Sequence, residues 1–145
     1  MKGILKLGKI AGIRIEVHWT FTLLLIWVVF LDIQRGGTMN TALMNIILIL
    51  LLFLCVILHE LGHALTARRF NIGTKKITLL PIGGVASLEK MPEKPGQELI
   101  VALAGPAVNV LIALLLFLVV PMKNYFGLDA DSLVLLLSAP TLETL

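Results

Sequence analysis

His59-Glu60-Leu61-Gly62-His63 brings two imidazoles and a carboxylate together in one short stretch. On an α-helix, positions four apart share a face, so His59 and His63 stack one turn apart. Two neutral imidazoles at that spacing suit a single zinc ion, and Glu60 is placed to take a proton from a water that the ion polarises. The context is apolar. Residues 43–58 run into the motif with almost no polar interruption, and no cation follows before Arg68. H-E-x-x-H arises by chance in long proteins. Inside an apolar helix, though, two histidines and a glutamate are costly to bury and point to function. Cys55, the single cysteine, sits one turn before His59 on the same face. It is a candidate fourth ligand or inhibitory thiolate, although a lone cysteine is ordinarily a small buried apolar residue. One cysteine excludes an intramolecular disulfide.

The elements that must position these groups are membrane spans. The 145 residues are 58% hydrophobic and only 14% charged, against about 25% charged in a soluble domain. Mean hydropathy is +0.99. The net charge of +3 is scattered, with no basic patch suited to nucleic acid. Residues 1–16 read as a basic, partly apolar segment on the cytoplasmic interface. Residues 17–33 form a first span of about 25 Å, slightly short and extended by snorkelling of Arg14 and Arg35. No small-x-small cleavage site follows, which argues against a signal peptide. Trp19 suits an interfacial belt, and His18 reads as an interfacial histidine beside it. Residues 43–67 make a second span of about 37 Å and residues 99–120 a third of about 33 Å. After a polar connection, residues 133–145 begin a fourth. Between the second and third spans, Ile77-Thr78-Leu79-Leu80-Pro81-Ile82 and Val85-Ala86-Ser87-Leu88 flank Gly83-Gly84 and predict a small surface β-hairpin. Its edge either receives an extended substrate as an added strand or merely connects the spans. The expected fold is thus an all-α polytopic membrane protein with three complete transmembrane helices, the start of a fourth, and that hairpin.

Lysine and arginine set the orientation. With the N-terminus cytoplasmic, Arg35 and Lys123 alone of the 12 basic residues lie outside. The expectation is a multi-pass protein of the plasma membrane. His59 then lies about 13 Å below the cytoplasmic boundary, and Asn109 about 16 Å deep on the third span. Asn109 is level with the motif, which favours a site role over simple interhelical bonding. Ala102, Gly105, Pro106, Asn109 and Ala113 share one small-residue face suited to close helix packing. Pro106 removes a backbone donor and frees the carbonyl of Ala102, so a kink is expected beside the site.

With these pieces placed, the chain resembles the site-2 protease family of intramembrane zinc metalloproteases. The matching residues are His59-Glu60-Leu61-Gly62-His63-Ala64, Pro81-Ile82-Gly83-Gly84 and Gly105-Pro106-Ala107-Val108-Asn109. The opening Gly12-Ile13-Arg14-Ile15-Glu16-Val17-His18-Trp19-Thr20 is similar to the branch that often carries C-terminal CBS domains. The resemblance implies cleavage of a peptide bond within or near a transmembrane segment of a membrane-protein substrate. It implies His59 and His63 as Zn2+ ligands, Glu60 as general base, and Asn109 as a group that holds the substrate or the developing oxyanion. It also implies a third ligand, an aspartate in an N-x-x-P-x-P-x-L-D-G motif on a later span, which this sequence lacks. Gly127-Leu128-Asp129-Ala130 imitates part of it, but Asp129 and Asp131 fall on the exterior side in this topology. Residues 1–145 are therefore expected to be a membrane-embedded portion of a longer core, cut before the third ligand and inactive by itself. Two other readings stay open. One is a different membrane zincin acting on soluble or lipidated peptides. The other is a membrane scaffold that keeps the motif without turnover.

Overall fold

A computed structural model describes residues 3–120. The elements in chain order are β1 (Ile4–Ile10), β2 (Ile13–His18), α1 (Thr20–Gln34), α2 (Met39–Arg69), β3 (Thr74–Leu80), β4 (Gly83–Leu88) and α3 (Pro95–Val119). The strands form one mixed sheet in the order β1-β2-β3-β4. The outer pairs are antiparallel, and β2 pairs with β3 in parallel from Arg14↔Lys76 to Val17↔Leu79.

This corrects the all-α expectation. The basic lead-in is a hairpin, because Ala11 and Gly12 take positive φ values of 52° and 81° and turn the chain within two residues. Beyond that turn, Ile13 and Ile15 point to one face and are buried, Arg14 between them is exposed, and Glu16 on the other face is covered as well. The predicted β3–β4 hairpin is present, but its turn is Pro81-Ile82 rather than Gly83-Gly84, both glycines are paired within β4, and the hairpin is half of the larger sheet. The expectation of three complete transmembrane helices is also corrected. Among the described residues only α2 and α3 are long and apolar enough to cross a bilayer. β2 runs through His18 and leaves α1 with 15 residues, about 22 Å against a hydrocarbon core of about 30 Å. The expected fourth segment lies outside the described residues.

The sheet packs on α2. Ile13, Ile15 and Ile77 bury their side chains against Leu61 and Ala64. Phe21 of α1 meets Phe53 of α2 edge-on, with centroids 4.5 Å apart, over Leu79. Ala67 and Ile72 close on Val101 and so fix the start of α3 against the end of α2. The rest of α2 is apolar and outward-facing, with Leu48, Leu51, Leu52 and Leu54 all about half exposed. An apolar surface of that extent suits lipid rather than water. Glu16 is the one buried charged side chain among the described residues, and Lys76 Nζ of the neighbouring β3 stands 3.3 Å from it.

The α1–α2 connection is held by a polar cluster. Asp32 accepts from the Thr41 hydroxyl at 2.7 Å and from Asn45 Nδ2 at 3.0 Å. Thr38 caps α2 and exchanges side chain–backbone bonds with Thr41. At the other end of α2, Arg68 and Arg69 complement the helix dipole, and Arg68 Nη2 donates to the Ala11 carbonyl at the tip of the β1–β2 hairpin. The first compact unit of the chain ends at Val110 and contains every site residue discussed below.

Candidate metal centre

His59, Glu60 and His63 sit in the last third of α2, half-buried. Their apolar flanks make a continuous helix through the motif, and the four-residue spacing brings both rings to one face. The Nε2 atoms approach to 3.1 Å, and the rings stand edge-to-face at 81° with centroids 4.7 Å apart. That convergence is not dictated by the spacing alone, since each ring can rotate about two side-chain bonds. α3 holds them. Val101, Gly105 and Asn109 succeed one another at four-residue intervals and present one face to α2. His63 Nδ1 donates to the Val101 carbonyl at 2.7 Å. Asn109 Nδ2 lies 3.0 Å from His59 Nδ1. Both rings are therefore gripped at Nδ1 and turn Nε2 inward.

The close approach of the helices depends on two glycines. A Cβ at Gly62 would lie 2.8 Å from Val108 Cγ2 and 2.9 Å from the Ala104 carbonyl oxygen. One at Gly105 would lie 2.7 Å from His59 Nε2 and closer still to the His63 ring. The two imidazole edges fill the place that a Gly105 Cβ would take. Pro106 lies inside α3, but the α3 carbonyl that His63 engages is that of Val101, one residue before the Ala102 carbonyl that the proline frees.

Glu60 turns toward the sheet. A Cβ at Gly84 would stand 3.0 Å from Glu60 Cγ and 3.7 Å from its carboxyl carbon. The carboxylate thus lies along the start of β4, which is an edge of the sheet. Cys55 is free and half-buried. Among the described residues no three His, Cys, Asp or Glu side chains converge on one point, so Cys55 is not brought to the histidine pair. His18 Nδ1 is engaged by Thr20 Oγ1 at 2.7 Å at the start of α1. Asp129 and Asp131 lie outside the described residues. Sequence reasoning missed the Val101 carbonyl, which as a backbone group leaves no mark in the residue types. It also missed the contact of Gly84 with Glu60. The run of small residues did flag Gly105.

Residues 47–139 match the model of peptidase family M50. The chain is 39% identical over 132 residues to a zinc metalloprotease of Methanocaldococcus jannaschii, covering 91% of this chain and 36% of that one. It is 39% identical over 122 residues to a putative zinc metalloprotease of Synechocystis, covering 79% of this chain and 32% of that one. The solved structure of a site-2 protease from Methanocaldococcus jannaschii superposes with a TM-score of 0.63 at 41% identity, over 80% of this chain and 50% of that chain. The chain thus spans about a third of the length of the curated relatives it matches. Two bilayer-length apolar helices and a histidine pair clamped between them accompany that match, and the chain belongs to peptidase family M50, the site-2 protease family.

Proposed function

We propose that this chain carries the histidine pair and general base of an intramembrane zinc metalloendopeptidase, which cleaves a peptide bond within or near a transmembrane segment of a membrane-protein substrate. The observation that carries the reading is the 3.1 Å approach of two Nε2 atoms whose Nδ1 positions are both engaged elsewhere. Two nitrogens on one tetrahedral zinc ion, with Zn–N bonds near 2.05 Å, are about 3.3 Å apart. The donor set fits such an ion, and the missing Cβ of Gly105 is what lets the two rings converge.

His59 and His63 would hold the zinc, with an acidic third ligand from elsewhere in the protein. When bound, the ion would supply Lewis-acid chemistry to water and the scissile carbonyl. Glu60 accepts the water's proton and later delivers it to the leaving amine. Its place beside Gly84 supports a substrate arriving as an extended strand on the β4 edge, where main-chain bonds would align it with the carboxylate. The surrounding bilayer is the second partner, and the N-terminus faces the cytoplasm.

Glu60→Gln in the full-length protein, assayed with a tagged membrane substrate, should lower cleavage by at least about 100-fold. Zinc content should stay near that of the unmutated enzyme. Undiminished cleavage would sink the assignment. The second reading is a membrane scaffold that keeps the motif without turnover. No cleavage by the unmutated full-length protein would select it.

A further inference from the structure

The Nδ1 contacts contain a choice that the histidine spacing does not make. His63 is unambiguous. A carbonyl oxygen only accepts, so His63 Nδ1 carries the hydrogen that meets Val101, and the Nε2 of the neutral ring is a lone pair. His59 is different, because its Nδ1 faces a carboxamide. When the amide presents its NH2, His59 Nδ1 is the acceptor and the ring hydrogen sits on Nε2. It can then donate across the 3.1 Å gap to His63 Nε2. Asn109, His59, His63 and the Val101 carbonyl form a continuous relay in that state, with all four ring nitrogens engaged and no ring lone pair left for a cation. When the amide is turned by half a rotation, its oxygen accepts from His59 Nδ1. The hydrogen then leaves Nε2, and two Nε2 lone pairs stand together 3.1 Å apart against Gly105.

We propose that Asn109 is a positioning residue that selects the tautomer of His59, and so switches the histidine pair between a closed relay and a metal-receptive state. The inference rests on the zinc reading and adds to it. Asn109 acts through His59 on the ion rather than only on the substrate. No bond to carbon changes. One hydrogen moves between the two ring nitrogens of His59, by exchange with water, as the amide turns. Partners at the outer nitrogen of a ligating histidine ordinarily govern metal affinity by about 10–100-fold.

The test compares the unmutated full-length protein with Asn109→Leu and Asn109→Asp in detergent. Zinc affinity is read by competition with a chromophoric chelator, and Co2+ absorption reports the coordination. Leucine keeps the bulk and removes the acceptor, so affinity should fall about 10–100-fold. Aspartate offers only an acceptor, so affinity should be kept or raised, with a Co2+ spectrum like that of the unmutated protein. Helical circular dichroism should be the same in all three. Unchanged affinity in the leucine variant would overturn the inference and leave Asn109 to the substrate alone. Equal losses in both variants would overturn it too, because aspartate retains the acceptor. If the unmutated protein binds neither metal, the zinc reading itself fails and this inference goes with it.

Discussion

Gly105 acts through the side chain it lacks. Two imidazole edges occupy the place of its Cβ, so any larger residue displaces the rings from each other. Alanine raises helix propensity by about 1 kcal/mol over glycine in a helix interior. Gly105→Ala should therefore leave the helical fold intact or slightly firmer while zinc content of the purified full-length protein drops more than about tenfold, given the strict Zn–N distance. Elemental analysis measures the metal and circular dichroism the fold. Stoichiometric zinc in this variant would show that the ion does not sit between α2 and α3 at this level. At this scale the sequence revealed the histidine pair, the adjacent carboxylate and the small-residue face, because side-chain identity and helical period express them directly. The grip on His63 was invisible, since any residue at position 101 offers the same carbonyl.

At the scale of elements, the β1–β2 hairpin is the part that sequence reasoning misplaced. Its lysines and branched aliphatics also suit a segment resting on a membrane surface, and the turn is only two residues long. Burial decided the matter. Ile13 and Ile15 are almost fully buried against α2, which an interfacial segment would not achieve. Gly12 at φ 81° carries the turn, and Arg68 reaches the Ala11 carbonyl beside it. A β-branched residue is strained at that φ, so Gly12→Val should destabilise the protein by about 1 kcal/mol or more. Thermal unfolding in detergent should register a lower midpoint, while Gly96→Val, at a glycine with open space around it, serves as control. Equal midpoints for Gly12→Val and the unmutated protein would mean that the hairpin turn does not constrain the fold.

The sheet also constrains the whole molecule. Parallel pairing of β2 with β3 sets Arg14 beside Lys76, so the chain leaves along α1 and returns along α2 to the side it started from. Both charges therefore share one side of the bilayer in either orientation. That side is the one we propose to face the cytoplasm, following the lysine and arginine counts. In a Cys55→Ala background, Lys75→Cys and Lys90→Cys should react with an impermeant thiol reagent only when the cytoplasmic face is open. Asn40→Cys, at the start of α2, should react from outside. All three positions are exposed. Labelling in the opposite sense would invert the orientation and with it the depth of the histidines.

Composition and helical period by themselves determined that the chain is of the membrane class, that α2 carries two histidines and a glutamate at metal-binding spacing, and that Asn109 and Gly105 lie on a small-residue face. These follow from local rules, because hydrophobic runs and fixed residue spacings do not depend on what packs where. Tertiary structure alone decided that four strands share one sheet, and that α1 is shortened because β2 takes its first residues. Only tertiary structure brings Gly84 beside Glu60 and sets the Nδ1 partners of both histidines. Each of these joins residues far apart in the chain, through a parallel strand register, a helix–helix approach permitted by missing Cβ atoms, or a backbone carbonyl common to every residue type. No periodicity encodes those distances.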